Sequence, residues 1–397
     1  MPTGRGVGLS TLVLILSACG GPGAAGPVSE YAIRDSADVR IVEYEGMPTP
    51  THSITLSAPL SRHGHREGDY LFTMPYSGAL QPDGTAVISD AINSEIVVIG
   101  PDGTLRSKLA TEGQGPGEVR RGAELVAWGQ DTIFVNDVGN RRITVFENGI
   151  ASRNFPLIGV SSVTISGLDK AGRVLMTKTG FTPGFAEPWL QGPMIRFDPS
   201  SQAYDTIGEF DWIASPDMGG TNSPYRPEGR VAVSGGTFVH GRPDLPELVW
   251  RGPDGTVRQI VRWNPTPQYP SERHWEATIS AIRMELSTLR MDHLIQGTID
   301  RLEVDPDVPL PLFQLLHGDR DGRVWVEEFV SNFGAGFASV PSYQLISADG
   351  VWIGRLVSPP GFRMLDALGD RVLGVVRDEL DVETVAVYEL HITPYPR

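Results

Sequence analysis

Residues 83–99 (DGTAVISDAINSEIVVI) and 130–146 (QDTIFVNDVGNRRITVF) are two copies of one pattern. Set 47 positions apart, Thr85 aligns with Thr132, Asp90 with Asp137, Asn93 with Asn140, Ile96 with Ile143 and Val98 with Val145. Each copy reads as a short β-rich run, an Asp-x-x-Asn turn, a second β-rich run and a closing turn at Asp102-Gly103 or Asn148-Gly149. A β-rich unit repeating every 40–50 residues or so buries its apolar faces by stacking on its neighbours, the pattern of a propeller blade. The repeat therefore predicts an all-β chain closed into a β-propeller.

Hairpin punctuation continues along the chain. Pro-Asp-Gly occurs at 82–84, 101–103 and 253–255, and Asp-Gly at 321–322 and 349–350. Asp-Gly suits tight hairpins because both residues tolerate positive φ. These turns place blades near 68–110, 119–157, 162–210, 230–265 and 309–356, with a last blade from 361 onward. A propeller must close its ring, so a run near the N-terminus (39–46 or 53–57) is expected to share a sheet with 383–391. One stretch departs from strand alternation. From Ser271 onward, Trp275, Ile279, Ile282, Leu286 and Leu289 recur at 4-3-4-3 spacing, which predicts an amphipathic helix with Ser271 as its cap, inside an insertion over about 270–303. Once the insertion is set aside, the length fits six larger blades or seven at the observed period.

Composition bears on partners and address. Glycine (46) and proline (32) are spread along the 397 residues, which fits many tight turns. A formal net charge of −15 opposes nucleic acid, where a basic surface must displace counterions, and electrostatic docking on anionic lipid. Residues 1–18 read as a signal peptide, with Arg5 before an apolar run, Val7–Leu16, too short to span a bilayer. Leu16-Ser17-Ala18-Cys19 resembles the bacterial lipoprotein signal, which implies lipidation of Cys19 and a membrane partner through that anchor. Gly20 after the cysteine fits the outer membrane. Cys19 is the only cysteine, so the mature domain is expected to contain no disulfide and no thiolate zinc site. Residues 19–37 are expected to be a flexible tether and 38–397 the propeller.

The run Asp137, Asn140, Arg142, Ile143, Val145, Phe146, with a one-residue shift at the arginine, resembles an NHL repeat, and GQGPGE (113–118) resembles the linker of such repeats. From DSADVRIVE (35–43) to DGRVWVEE (321–328) and the final run through Tyr388, the chain is similar to the six-bladed β-propeller lipoproteins of Gram-negative bacteria. That resemblance implies six blades and an envelope location. It implies no particular activity.

Candidate chemistry is sparse. His63-x-His65 near Asp69 is a possible metal pair, although no third ligand follows at a useful spacing. Asp319-Arg320-Asp321-Gly322 with Glu327 partly resembles a calcium loop but lacks the third Asp/Asn before the glycine at the EF-hand spacing, which favours a hairpin turn. GQGPGE matches neither nucleotide fingerprint and reads as a turn between blades. No G-x-S-x-G and no H-E-x-x-H occurs. Aromatic residues in three long loops, Phe185, Trp189, Tyr225 and Phe333, are the candidate binding residues at a channel mouth. The expectation is a lipid-anchored binding or scaffold module for a protein or small-molecule ligand, with no cofactor. The alternative is a lactonase-like hydrolase or lyase using a divalent metal such as calcium in the central channel.

Overall fold

The computed structural model describes residues 31–120, 124–157, 163–178, 189–214, 223–288, 290–329, 341–378, 380 and 382–396. The signal peptide, Cys19, Phe185, Phe333 and Leu289 lie outside the described residues. Among the described residues the chain forms five sheets, with one helix of 17 residues, Glu272–Thr288, and a short one at Ile295–Ile299.

The Asp-x-x-Asn repeat produces two consecutive sheets. The first runs through Pro75–Leu80, Ala86–Asp90, Glu95–Ile99 and Leu105–Glu112, with Glu118–Val119 added at its edge. The second runs through Leu125–Trp128, Thr132–Asp137, Arg142–Glu147 and Ile150–Pro156. Asp90 and Asp137 occupy the same place in each and are fully buried. Asp90 accepts the backbone N–H groups of Thr73 and Met74 and the amide of Asn93. Asp137 accepts the N–H of Arg120, the amide of Asn140 and the Arg142 guanidinium. The motif therefore ties each turn to the segment that enters the sheet. Arg142 also donates to the carbonyls of Gln114, Gly115 and Glu118, so the GQGPGE loop is stapled down by the arginine of the repeat.

The third sheet runs Val163–Leu168, Val174–Lys178, Trp189–Asp198 and Ala203–Ala214. The fourth runs Arg230–Ser234, Thr237–Gly241, Glu247–Arg251 and Val257–Arg262. In each of these four sheets the four principal strands form an antiparallel meander. An even number of strands returns the chain to the side it left, so every innermost strand starts from the same end of the molecule.

Ring closure follows the expectation for one of the two N-terminal runs. His52–His63 lies antiparallel to Glu383–Pro394, with Ser53 opposite Thr393 and Val385 opposite His63. Its other edge is parallel to Trp352–Val357, which joins Phe313–Gly318, Val324–Glu328 and Ser342–Ile346 to Phe362–Leu368, Arg371–Arg377 and Glu383–Pro394 in one eight-stranded sheet. The other run, Val39–Tyr44, goes elsewhere: it lies parallel to Val257–Arg262 on the outside of the fourth sheet. Tyr31–Ser36, within the stretch expected to be tether, forms a strand antiparallel to Val39–Tyr44.

The core sits between the sheets. Ala79, Val87 and Ile96 of the first sheet meet Leu125, Ile133 and Phe146 of the second. Val145 and Phe155 meet Ile165 and Phe197 of the third. At the other end of the chain, Leu373, Val385 and Val387 meet Leu80, Ile88 and Val97 of the first sheet. The apolar contact thus returns to its start, and the architecture is that of a β-propeller. Period-2 alternation inside a radially packed sheet buries both faces, which is why Ala86–Asp90 is buried at every position.

The helix forms where the 3.6-residue stripe predicts. It buries Thr278, Ala281 and Ile282 and leaves Trp275, Ile279 and Leu286 half-exposed, so its packed stripe is narrower than the sequence pattern. Ser271 precedes it, and its hydroxyl pairs with the His274 ring at 2.8 Å.

Candidate functional site

The innermost strands enclose a central channel with a cavity of about 720 Å³. Gly78, Gly167 and Gly318 hold these strands close. A Cβ on Gly167 would lie 2.5 Å from Val233 Cβ, and one on Gly318 would lie 2.2 Å from the Val233 carbonyl oxygen. Between the glycines the wall alternates apolar groups, such as Leu125, Ile165 and Met364, with polar ones.

The upper end, where the inner strands begin, carries Tyr76, Glu124 and Arg230. Glu124 accepts the Asn136 amide at 2.6 Å and the Tyr76 hydroxyl at 3.4 Å, with no cation bonded to it among the described residues. Burial pushes its carboxyl up from the ordinary range despite these bonds. Burial, then the Glu124 charge, pushes the Tyr76 phenol up to about 12. Asn136 is itself buried, and its Oδ1 has no hydrogen-bond partner among the described residues. Arg230 is held by the Gln314 carbonyl and by Glu228 at 2.9 Å.

Toward the lower end of the inner strand Phe313–Gly318 is His317. Its Nε2 lies 3.2 Å from Oε2 of Glu327, a carboxylate with no exposed surface. The other Glu327 oxygen, Oε1, accepts the Gln314 side-chain amide. A bulge between Phe313 and Leu315 lets Gln314 reach it, a re-aiming that bulges commonly supply. Tyr343 packs against the imidazole with ring centroids 5.9 Å apart. Burial, reinforced by the Glu327 charge, raises its phenol well above the ordinary value. The His317 side chain is 23% exposed.

At the lower end, Arg320 reaches across to the Leu80 carbonyl and to Asp366 Oδ2 at 3.2 Å. Asp366 also accepts the Leu80 N–H at 2.7 Å. Burial pushes its carboxyl up to about 6, against the pull of Arg320 and the N–H groups. Asp169 and Asp319 stand at matching hairpin turns and each binds the side chain four residues on, Arg173 and Arg323, at 2.6 Å. Lys170 lines the cavity beside them.

The sequence candidates map differently. His63 is buried and spends both ring nitrogens on the backbone: Nδ1 donates to the Gly103 carbonyl, and Nε2 accepts the Tyr70 N–H. Asp69 caps the same turn through the N–H groups of Gly64, His65 and Arg66. That group is a structural corner. Asp319-Arg320-Asp321-Gly322 is a hairpin turn, as favoured, with Gly322 at φ 89°. Its Glu327 belongs instead to the His317 pair. Trp189 and Tyr225 are buried rather than rim-exposed, and neither lines the channel. Arg242 stacks on the Trp189 ring at 4.4 Å. Tyr225 sits under the helix, edge-on to Phe329 and 3.4 Å from the Thr278 hydroxyl. Glu124, Arg230, His317 and Asp366 escaped the sequence reading because they converge from strands far apart in the chain. Only a polar residue in an otherwise apolar inner strand, such as His317 after Leu315-Leu316, was there to mark them.

No protein-family model matches the chain, and no curated protein matches its sequence. Among solved structures, a member of the DUF4221 family from Bacteroides vulgatus is similar at TM-score 0.54 and 11% identity, over 87% of this chain and 100% of that one. At this identity the likeness is one of fold. A virginiamycin B lyase from Staphylococcus aureus matches at TM-score 0.40 and 10% identity, over 87% and 89% of the two chains. A gluconolactonase from Xanthomonas campestris matches at TM-score 0.38 and 13% identity, over 86% and 99%.

Proposed function

We propose that the chain is an exported, lipid-anchored propeller that binds a small molecule in its central channel. One observation carries the binding reading: a cavity of about 720 Å³ onto which separate strands converge a carboxyl, an imidazole and a guanidinium beside apolar wall. Six blades is the count we favour. The eight-stranded sheet divides into two four-stranded meanders joined through His52–His63, and these stand beside four further sheets. The NHL-like and lipoprotein resemblances support the same count. Anchoring at Cys19 and an outer-membrane address rest on the signal sequence. Among the described residues no helix is long and apolar enough to cross a membrane.

The metal-dependent alternative asks for several acidic or imidazole side chains around one point. Among the described residues no three His, Cys, Asp or Glu groups come together in that way. Asp169, Asp319 and Asp366 are each engaged by an arginine. These residues do not fit a resident cation.

Thermal unfolding tests the binding reading, with sugars, polyols, small carboxylates and, after chelation, calcium, magnesium, zinc and manganese added in turn. A ligand at a hundredfold excess over its Kd stabilises the folded state by about 2.7 kcal/mol. The expected result is a shift that Glu124→Gln with Arg230→Gln removes. A shift untouched by both changes would locate the site elsewhere. The anchor has its own test: Cys19→Ser is expected to release a folded protein from membranes, and continued membrane fractionation after a high-salt wash would refute lipidation.

A further inference from the structure

We infer that His317 is a general base for hydrolysis of a small neutral carboxylic ester in the channel, with Glu327 as its positioning residue. The inference rests on the channel being the ligand site and adds a reaction to it. Four observations lead there.

Glu327 is a carboxylate without exposed surface that lies in the field of the buried Arg363 guanidinium. Burying such a charge costs several kcal/mol unless hydrogen bonds replace its water. Here the Gln314 amide and the His317 ring supply them. A neutral imidazole that donates Nε2–H to a carboxylate leaves Nδ1 as its lone-pair nitrogen. Nδ1 has no hydrogen-bond partner among the described residues, and His317 is one of the residues that line the cavity. A base fixed in one tautomer by a buried acid, with its free nitrogen on a cavity, is the arrangement that general-base catalysis uses.

The surroundings select the substrate class. Leu315 and Met364, which line the same cavity, favour a neutral molecule with apolar carbon. Arg230, presented by the neighbouring inner strand and anchored on the carbonyl of Gln314, is the cation for a developing oxyanion. In the reaction, Nδ1 takes a proton from water as the water oxygen bonds to the ester carbonyl carbon. The bond from that carbon to the alkoxy oxygen then breaks, and the imidazolium returns its proton to the leaving oxygen. One ester and one water give one acid and one alcohol, and no other reactant is needed.

The test uses the detergent-solubilised full chain and p-nitrophenyl acetate as probe. Wild type is expected to hydrolyse it with a rate that rises as an imidazole deprotonates. His317→Gln should lower kcat/KM about a hundredfold, and Glu327→Gln tenfold or more, with Glu327→Asp recovering part of the loss. A second readout separates positioning from mere stability. In ¹⁵N-histidine spectra the resonance lost in His317→Gln should show the Nε2–H tautomer, and Glu327→Gln should change its tautomer ratio while the thermal transition persists. Hydrolysis equal in wild type and a folded His317→Gln overturns the catalytic role. In that case, ligand-induced thermal shifts that depend on Glu124 and Arg230 would leave the binding reading standing, and their absence would remove both. An Nδ1–H tautomer in wild type overturns the pairing itself.

Discussion

Asp366 shows how a single carboxyl reports its surroundings. Its ordinary value is 3.8, and burial in the folded protein pushes it up to about 6. A folded-state value above the unfolded one means the protonated form is favoured in the native state. The contribution to stability is therefore fully present below about pH 4 and is lost as pH rises through about 6. Two units correspond to roughly 3 kcal/mol. Asp366→Asn should flatten the fall in unfolding free energy between those limits, measured by urea denaturation across pH 4–7. Parallel pH profiles for the two proteins would contradict the assignment. Gly318 makes a steric point on the same scale. Because a Cβ there would meet a backbone oxygen of the next inner strand, no side-chain rotation relieves it. Gly318→Ala is expected to cost about 1–3 kcal/mol, read from the shift in denaturation midpoint.

Asp137-Val138-Gly139-Asn140 and Arg142 belong to the scale of the element. The sequence marked them by repetition, and the structure explains the repetition as turn architecture: a buried carboxylate gathers backbone N–H groups, and an arginine clamps a glycine-rich loop. Arg142→Ala removes the cation from a buried carboxylate and leaves loop carbonyls unpaired. The expected loss is roughly 2–4 kcal/mol. Arg142→Lys should recover little of it, because a lysine ammonium has no planar fork to span several carbonyls. Equal stability of the arginine and lysine proteins, by calorimetry, would show that charge alone matters. The helix tells the converse story. Its periodicity was legible, yet which of its apolar residues become buried was not, because that depends on Tyr225 and Phe329 beneath it.

At the scale of the molecule, strands from opposite ends of the chain pair: His52–His63 with Glu383–Pro394. The apolar cluster of Val385 and Val387 also connects the last strands to the first sheet. A chain ending at Val382 loses both connections at once. It is expected to lose the cooperative thermal transition of the whole domain rather than a local part of it. Survival of that transition within a few degrees would show that the ring does not need this closure.

Local information was enough for much of this architecture. Strand alternation, Asp-Gly turns, the repeated Asp-x-x-Asn and the 4-3-4-3 stripe depend on backbone preferences and on neighbours within a few residues. The sequence by itself thus determined the all-β propeller class, the place of the helix and the use of an N-terminal strand to close the ring. Which N-terminal run closes it was decided by long-range pairing, since Val39–Tyr44 and Ser53–Ser57 are equally good strands in isolation. The site was decided in the same way. His317 and Glu327 are ten residues apart across a hairpin whose register is shifted by a bulge at Gln314. Glu124 and Arg230 reach the channel from strands more than a hundred residues apart. Burial, the direction of each titration and the shape of the channel arise only when those strands are assembled, because each depends on what the other strands exclude from water.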